Sequence, residues 1–121
     1  MENISEPGVK ELKTYKELIK LVGEHRVVVL KASAEWCEPC KRIVPIFNKF
    51  IYDLPDMVSD INDISIVKID IDVATDIKRA LRIKAVPFLC NFVNGDLTDI
   101  VNTSREEDIV KFFTKTLSKL N

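Results

Sequence analysis

Two cysteines three positions apart, Cys37 and Cys40, are the residues of this chain best placed to do chemistry. They sit in the run Trp36-Cys37-Glu38-Pro39-Cys40-Lys41, a compact dithiol with an aromatic in front, a proline inside and a lysine behind. A thiolate is both a nucleophile and a metal ligand, so this spacing admits disulfide exchange or metal binding. Structural zinc takes four ligands, and the chain offers only one further cysteine, Cys90, and a lone histidine, His25, neither paired with another ligand. Exchange is therefore the expected chemistry, with no metal and no cofactor beyond the dithiol itself. Three cysteines cannot all pair within one chain, which leaves Cys90 separate; its position in an apolar run reads as a small buried residue. His25 reads as a surface residue near a helix end.

The flanking sequence explains how such a dithiol would be held. Val27-Val28-Val29-Leu30-Lys31-Ala32-Ser33 is almost continuously apolar and reads as a central strand covered on both faces. Residues 41–50 read as a helix, with Ile43, Val44, Ile46, Phe47, Phe50 and Ile51 inward and Pro45 kinking it. A C-x-x-C at a strand-to-helix junction is the setting of a redox motif.

Upstream, residues 9–12 read as a short strand. Thr14 and Glu17 then have capping-box spacing for a helix carrying Leu18, Ile19, Leu21 and Val22, with Gly23 as its end. Downstream, residues 52–63 read as a turn-rich connection holding at most one loose helical turn. Residues 64–71 read as a strand and 73–81 as a short helix. Residues 88–93 form another strand, and Asn94-Gly95 turns it back into 97–101 as a hairpin. Ser104 and Glu107 make a second capping box. It opens a last helix with Ile109, Val110, Phe112, Phe113, Leu117 and Leu120 inward and lysines outward. The order β-α-β-α-β-α-β-β-α predicts an α/β fold, a mixed sheet of three parallel strands plus an antiparallel hairpin, with helices on both faces.

Composition bounds the rest. The chain has 121 residues, enough for one core, with 46% hydrophobic and 31% charged residues. A net charge of −1 with no basic block offers nothing to nucleic acid or a membrane surface. No apolar run approaches the roughly 20 residues of a membrane span. The start of the sequence lacks the basic and apolar segments of a signal peptide, so the cytoplasm is the expected compartment.

With these motifs in order, the sequence resembles the thioredoxin family. The resemblance rests on Ala34-Glu35-Trp36-Cys37, Pro39-Cys40-Lys41, Pro45, Val67-Lys68-Ile69-Asp70-Ile71-Asp72, Arg82-Ile83, Ala85-Val86-Pro87 and Asn94-Gly95. It covers residues 9–120, making 9–121 a single domain behind a short extension at 1–8. It implies the thioredoxin fold and a protein disulfide reductase. In it Cys37 is the nucleophile at the exposed start of the helix and Cys40 the resolving thiol. Pro87 is a cis-proline facing the dithiol across the substrate groove, Trp36 flanks the dithiol, and Pro39 stiffens the turn. It further implies protein substrates containing disulfides, a thioredoxin-reductase-type electron donor, a role in electron transport and cell redox homeostasis, and a monomer. Physical chemistry supports these roles: N–H groups at a helix start favour the Cys37 thiolate, exchange proceeds through a mixed disulfide, and a second thiol three residues on resolves it.

Several residues depart from the family. Glu38 stands where glycine is most frequent, as an acid favouring the first helical turn or as a charge opposing the Cys37 thiolate. Lys31 occupies the strand position of a buried aspartate that manages the second cysteine's proton. It either tunes the dithiol together with Lys68, or lays its stem along the core and reaches out to Asp70 or Glu35. Phe88 replaces a usual threonine, and Asn102 lies near a usual glycine, where asparagine tolerates a left-handed backbone. The alternative function is a binding or regulatory module of the same fold whose dithiol is slow because Lys31 disrupts proton handling.

Overall fold

The computed structural model describes residues 8–121. The expected N-terminal extension, apart from Gly8, lies outside the described residues. In chain order the elements are β1 (Val9–Glu11), α1 (Tyr15–Glu24), β2 (Val27–Ser33), α2 (Glu38–Arg42), α3 (Val44–Met57) and a single 3-10 turn (Ile61–Asp63). Then come β3 (Ile64–Asp70), α4 (Thr75–Ala80), β4 (Phe88–Val93), β5 (Asp96–Val101) and α5 (Glu106–Leu120).

The sheet runs β1-β3-β2-β4-β5, with β1, β3 and β2 parallel and β4 and β5 antiparallel. β2 is the central strand, and every residue from Val27 to Ala32 is buried. Its side chains alternate between two cores, as the strand period requires. Val28, Leu30 and Ala32 face α1 and α4 with Leu18, Leu21 and Ile77, whereas Val27 and Val29 face α3 and α5 with Phe47, Phe50 and Phe112. On that second face the Phe113 ring stacks on Phe50 at 4.0 Å and packs against Phe47 at 5.5 Å. The mixed sheet between two helical layers is thus built as the sequence pattern predicts.

Details differ where one interaction overrides a local signal. Thr14 and Glu17 do form the capping box of α1, but that helix passes through Gly23 and ends against an extended His25. Ile19 is exposed rather than inward, as is Val110 in α5. Pro45 produces a break instead of a kink. It sits in the first turn of α3, where a missing N–H is harmless, and the buried Ile43 separates α2 from α3. The expected connection at 52–63 begins as helix: α3 continues to Met57 with Pro55 inside it, and the buried Leu54 anchors that last turn to the core. At α5 the Ser104 box does not form; Arg105 is the N-cap, and its backbone N–H donates to Thr103 Oγ1.

The Asn94-Gly95 turn has φ of +50° and +90°, the left-handed pair a two-residue hairpin needs. A bulge interrupts the ladder opposite Leu89–Asn91, and Asp99 takes φ +50° on β5. The Asp99 carboxylate accepts from Thr98 Oγ1 and from the buried Asn91 amide, whose oxygen in turn accepts from Thr116 on α5. This polar chain fastens the hairpin to the last helix.

Candidate active site

β2 delivers the chain to the dithiol, and α2 begins on it. Cys37 is the N-cap of α2, and its sulfur accepts the backbone N–H of Cys40 at 3.2 Å. A sulfur so placed is an acceptor for one of the unpaired N–H groups of a helix start, and a thiolate accepts such a bond better than a thiol does. Cys37 and Cys40 are joined as a disulfide with Cα atoms 5.3 Å apart. The expectation of an exposed Cys37 is not met in this oxidised form, in which the residue is 3% exposed. The loop before β4 closes over it: the Val86 carbonyl oxygen lies 3.7 Å from Cys37 Sγ, and the Val86–Pro87 bond is cis.

Two further residues complete that rim. Trp36, 67% exposed, donates its indole N–H to Asp72 at 2.9 Å, which ties the dithiol turn to the end of β3. Asn102, just past β5, donates from its side-chain amide to the carbonyls of Ala85 at 3.0 Å and Pro87 at 2.7 Å. It does not adopt a left-handed backbone; the positive φ in this region belongs to Asp99. Asp72 and the bracing function of Asn102 are absent from the sequence-based site. Only the position of Asn102 near the cis-proline's neighbouring strand hints at the second.

Beneath the dithiol, a pocket of about 270 Å³ is lined by Cys40, Lys31, Lys68, Glu11, Glu35 and Asp70, among others. The strand register explains the grouping. Glu11 of β1 pairs with Lys68 of β3, and Lys68 pairs with Lys31 of β2, so the three point to the same face of the sheet. Lys31 is 4% exposed, and its ammonium Nζ stands 4.6 Å from the centroid of the Phe47 ring, a cation–π approach. The lysine therefore does not carry its charge out to open solvent. It stays under the dithiol, among exposed or half-buried carboxylates on the pocket wall.

The remaining candidates lie elsewhere. Glu38 is exposed and pairs with Lys41 one turn on at 3.8 Å, a surface pair of little energetic weight. Cys90 is fully buried in β4, and desolvation pushes its thiol well above the ordinary value, which keeps it protonated and unreactive. His25 lies at the opposite end of β2, with Nδ1 2.9 Å from the Asn62 carbonyl. Among the described residues no three His, Cys, Asp or Glu side chains cluster as a metal site.

A disulfide of near neighbours, hydrogen-bonded at a helix start under a cis-proline loop at the end of a central strand, defines a dithiol–disulfide exchange protein. Comparison with known proteins agrees. The thioredoxin family model matches residues 8–115. A thioredoxin of Malassezia sympodialis is 33% identical over 93 residues, 77% of this chain and 84% of its own length. Thioredoxin-1 of Saccharomyces cerevisiae is 31% identical, over 72% of this chain and 78% of its own. Among solved structures, M. sympodialis thioredoxin superposes with a TM-score of 0.77 at 28% identity, covering 96% of this chain and 97% of that one. The chain belongs to the thioredoxin family and is a thiol–disulfide oxidoreductase.

Proposed function

We propose that this protein reduces disulfides in other proteins, with Cys37 as the attacking thiolate and Cys40 as the resolving thiol. The observation that carries the assignment is the 3.2 Å hydrogen bond from the Cys40 N–H to Cys37 Sγ at the head of α2. It gives Cys37, and not Cys40, the helix-start donor that favours its thiolate.

In the reduced enzyme the Cys37 thiolate attacks one sulfur of a substrate disulfide. A Cys37–substrate disulfide forms, the substrate's own S–S bond breaks, and the departing thiolate is protonated by solvent. Cys40 then loses its proton into the pocket below and attacks Cys37 Sγ. The Cys37–Cys40 bond forms, the second substrate thiolate leaves, and two electrons have passed to the substrate. A thioredoxin-reductase-type dithiol donor would return the enzyme to its starting state.

Lys31 in its ammonium form cannot accept the Cys40 proton; it favours the thiolate that remains, with Lys68 as its neighbour. The pocket carboxylates, Glu11, Glu35 and Asp70, are the groups able to pass that proton to water. Pro87 and Val86 would seat an extended substrate segment, Trp36 would border it, and Pro39 would stiffen the turn. The setting proposed for this chemistry is the cytoplasm, in electron transport and redox homeostasis, by a monomer whose residues 9–121 form one domain. No helix among the described residues is long and apolar enough to cross a membrane.

Trapping tests the assignment. A Cys40→Ser variant should accumulate stable mixed disulfides with substrate proteins through Cys37, and Cys37→Ser should accumulate none. The reverse pattern would make Cys40 the nucleophile. Failure of both variants to trap, with no turnover by the unaltered protein, would favour a binding module over a reductase.

A further inference from the structure

We propose that Asn102 is a positioning residue for substrate capture, bracing the cis-proline loop from the neighbouring strand. Its amide nitrogen donates to the carbonyls on either side of Val86, Ala85 O at 3.0 Å and Pro87 O at 2.7 Å. An amide NH₂ has two N–H groups, and two acceptors use both. The Val86 carbonyl between them turns the other way, to 3.7 Å from Cys37 Sγ. One side chain therefore holds the two carbonyls that flank the one lying against the reactive sulfur.

Asn102 is itself exposed, so these hydrogen bonds, rather than burial, are its main contribution to the loop. A loop held in its binding shape before the partner arrives avoids the ordering cost at the encounter. That benefit reaches an extended protein substrate lying along Val86 and Pro87. A small disulfide that meets only the sulfur gains nothing from it. The inference rests on the proposal that this loop seats the substrate.

The test compares Asn102→Ala and Asn102→Asp with the unaltered enzyme on two substrates, a disulfide-bonded protein and the small uncharged disulfide of 2-mercaptoethanol. Asn102→Ala should raise KM for the protein substrate by about tenfold, the scale of one to two ordinary hydrogen bonds, with kcat within about twofold. Asn102→Asp keeps the size but aims a carboxylate at two carbonyls, and should raise KM further. Reduction of the small disulfide should change by less than about twofold in both. An unchanged protein KM in both variants, or equal slowing on the two substrates, would overturn the positioning role. Unaltered enzyme inert toward both substrates would instead overturn the disulfide-reductase assignment on which it depends. Because Asn102 is exposed, both variants should fold, and urea midpoints would verify this; Asn102→Ser, keeping one donor, should give an intermediate KM if Asn102→Asp fails to fold.

Discussion

Replacing Lys31 by methionine separates a lysine kept for chemistry from one kept for stability. The side chain is 4% exposed, with Nζ 4.6 Å from the Phe47 centroid. Methionine has nearly the same length and would retain the stem's packing. The substitution removes the ammonium's polar contacts and, with them, the cation–π contact, about 1–2 kcal/mol for a desolvated ammonium. The gain is release from holding an ammonium out of bulk water, a penalty of several kcal/mol even after relaxation. The carboxylates on the pocket wall stay in contact with water after the substitution, because Glu11 and Glu35 are exposed and Asp70 is half-buried. Loss and gain oppose each other, so the oxidised Lys31→Met protein should stay within about 1 kcal/mol of the unaltered one in urea unfolding followed by circular dichroism. The same substitution withdraws a positive charge from beside Cys40. The pH–rate profile of mixed-disulfide resolution, read by stopped flow, should move about one unit to higher pH. A variant destabilised by more than about 1 kcal/mol with an unmoved profile would show that Lys31 is structural and that its charge plays no part in exchange.

Other consequences can be checked separately. The Cys37–Cys40 bond closes a very small ring, with a sequence separation of 3, and loop-closure entropy makes such a link worth about 2 kcal/mol. The oxidised protein should thus unfold at higher urea than the reduced one, and equal midpoints would contradict this entropic origin. Cys90, protonated in the fold because burial raises its pKa, should resist alkylation in the native reduced protein and react only after unfolding. The sign of its pH effect follows from linkage. The folded thiol holds its proton to higher pH than the unfolded one, so its contribution to stability is complete below the ordinary thiol value and is lost as pH rises beyond it. Cys90→Ala should flatten the stability curve above about pH 9; an unchanged alkaline slope would argue against this assignment. Phe113, stacked on Phe50 and tilted against Phe47, should cost about 3–5 kcal/mol when cut to alanine in urea unfolding, and a loss below about 1 kcal/mol would mean the aromatic cluster is not the core of that layer.

The elements and the dithiol were legible because their signals are local and strong. β2 announces itself by an almost continuously apolar run that opens on three valines, the β4–β5 hairpin by Asn94-Gly95, and the reactive pair by its spacing at a strand-to-helix junction. Signals failed where a tertiary contact outweighed a local preference. Pro55 looks like a helix breaker, yet Leu54 buries against the core and holds the last turn of α3 in place. Ser104 has the spacing of a cap, but the chain enters α5 one residue later. Gly23 suits a helix end, but nothing at that position requires a left-handed backbone, and α1 runs one residue further.

In the site, identity was visible and environment was not. The sequence shows a lysine at position 31, but only the register of β1, β3 and β2 groups it with Lys68 and Glu11, and only the packing of α3 sets it over Phe47. Trp36 was legible as a neighbour of the dithiol, whereas its bond to Asp72 spans 36 residues and leaves no local trace. The brace from Asn102 to the Ala85 and Pro87 carbonyls is likewise a contact between distant segments, made with backbone atoms that every sequence possesses.

The most direct test is turnover of a disulfide-bonded protein with dithiothreitol as reductant. The unaltered protein should accelerate reduction well above the uncatalysed rate, and Cys37→Ser should abolish the acceleration. A rate indistinguishable from dithiothreitol alone, or one that survives loss of Cys37, would contradict the assignment of Cys37 and Cys40 as a working redox pair.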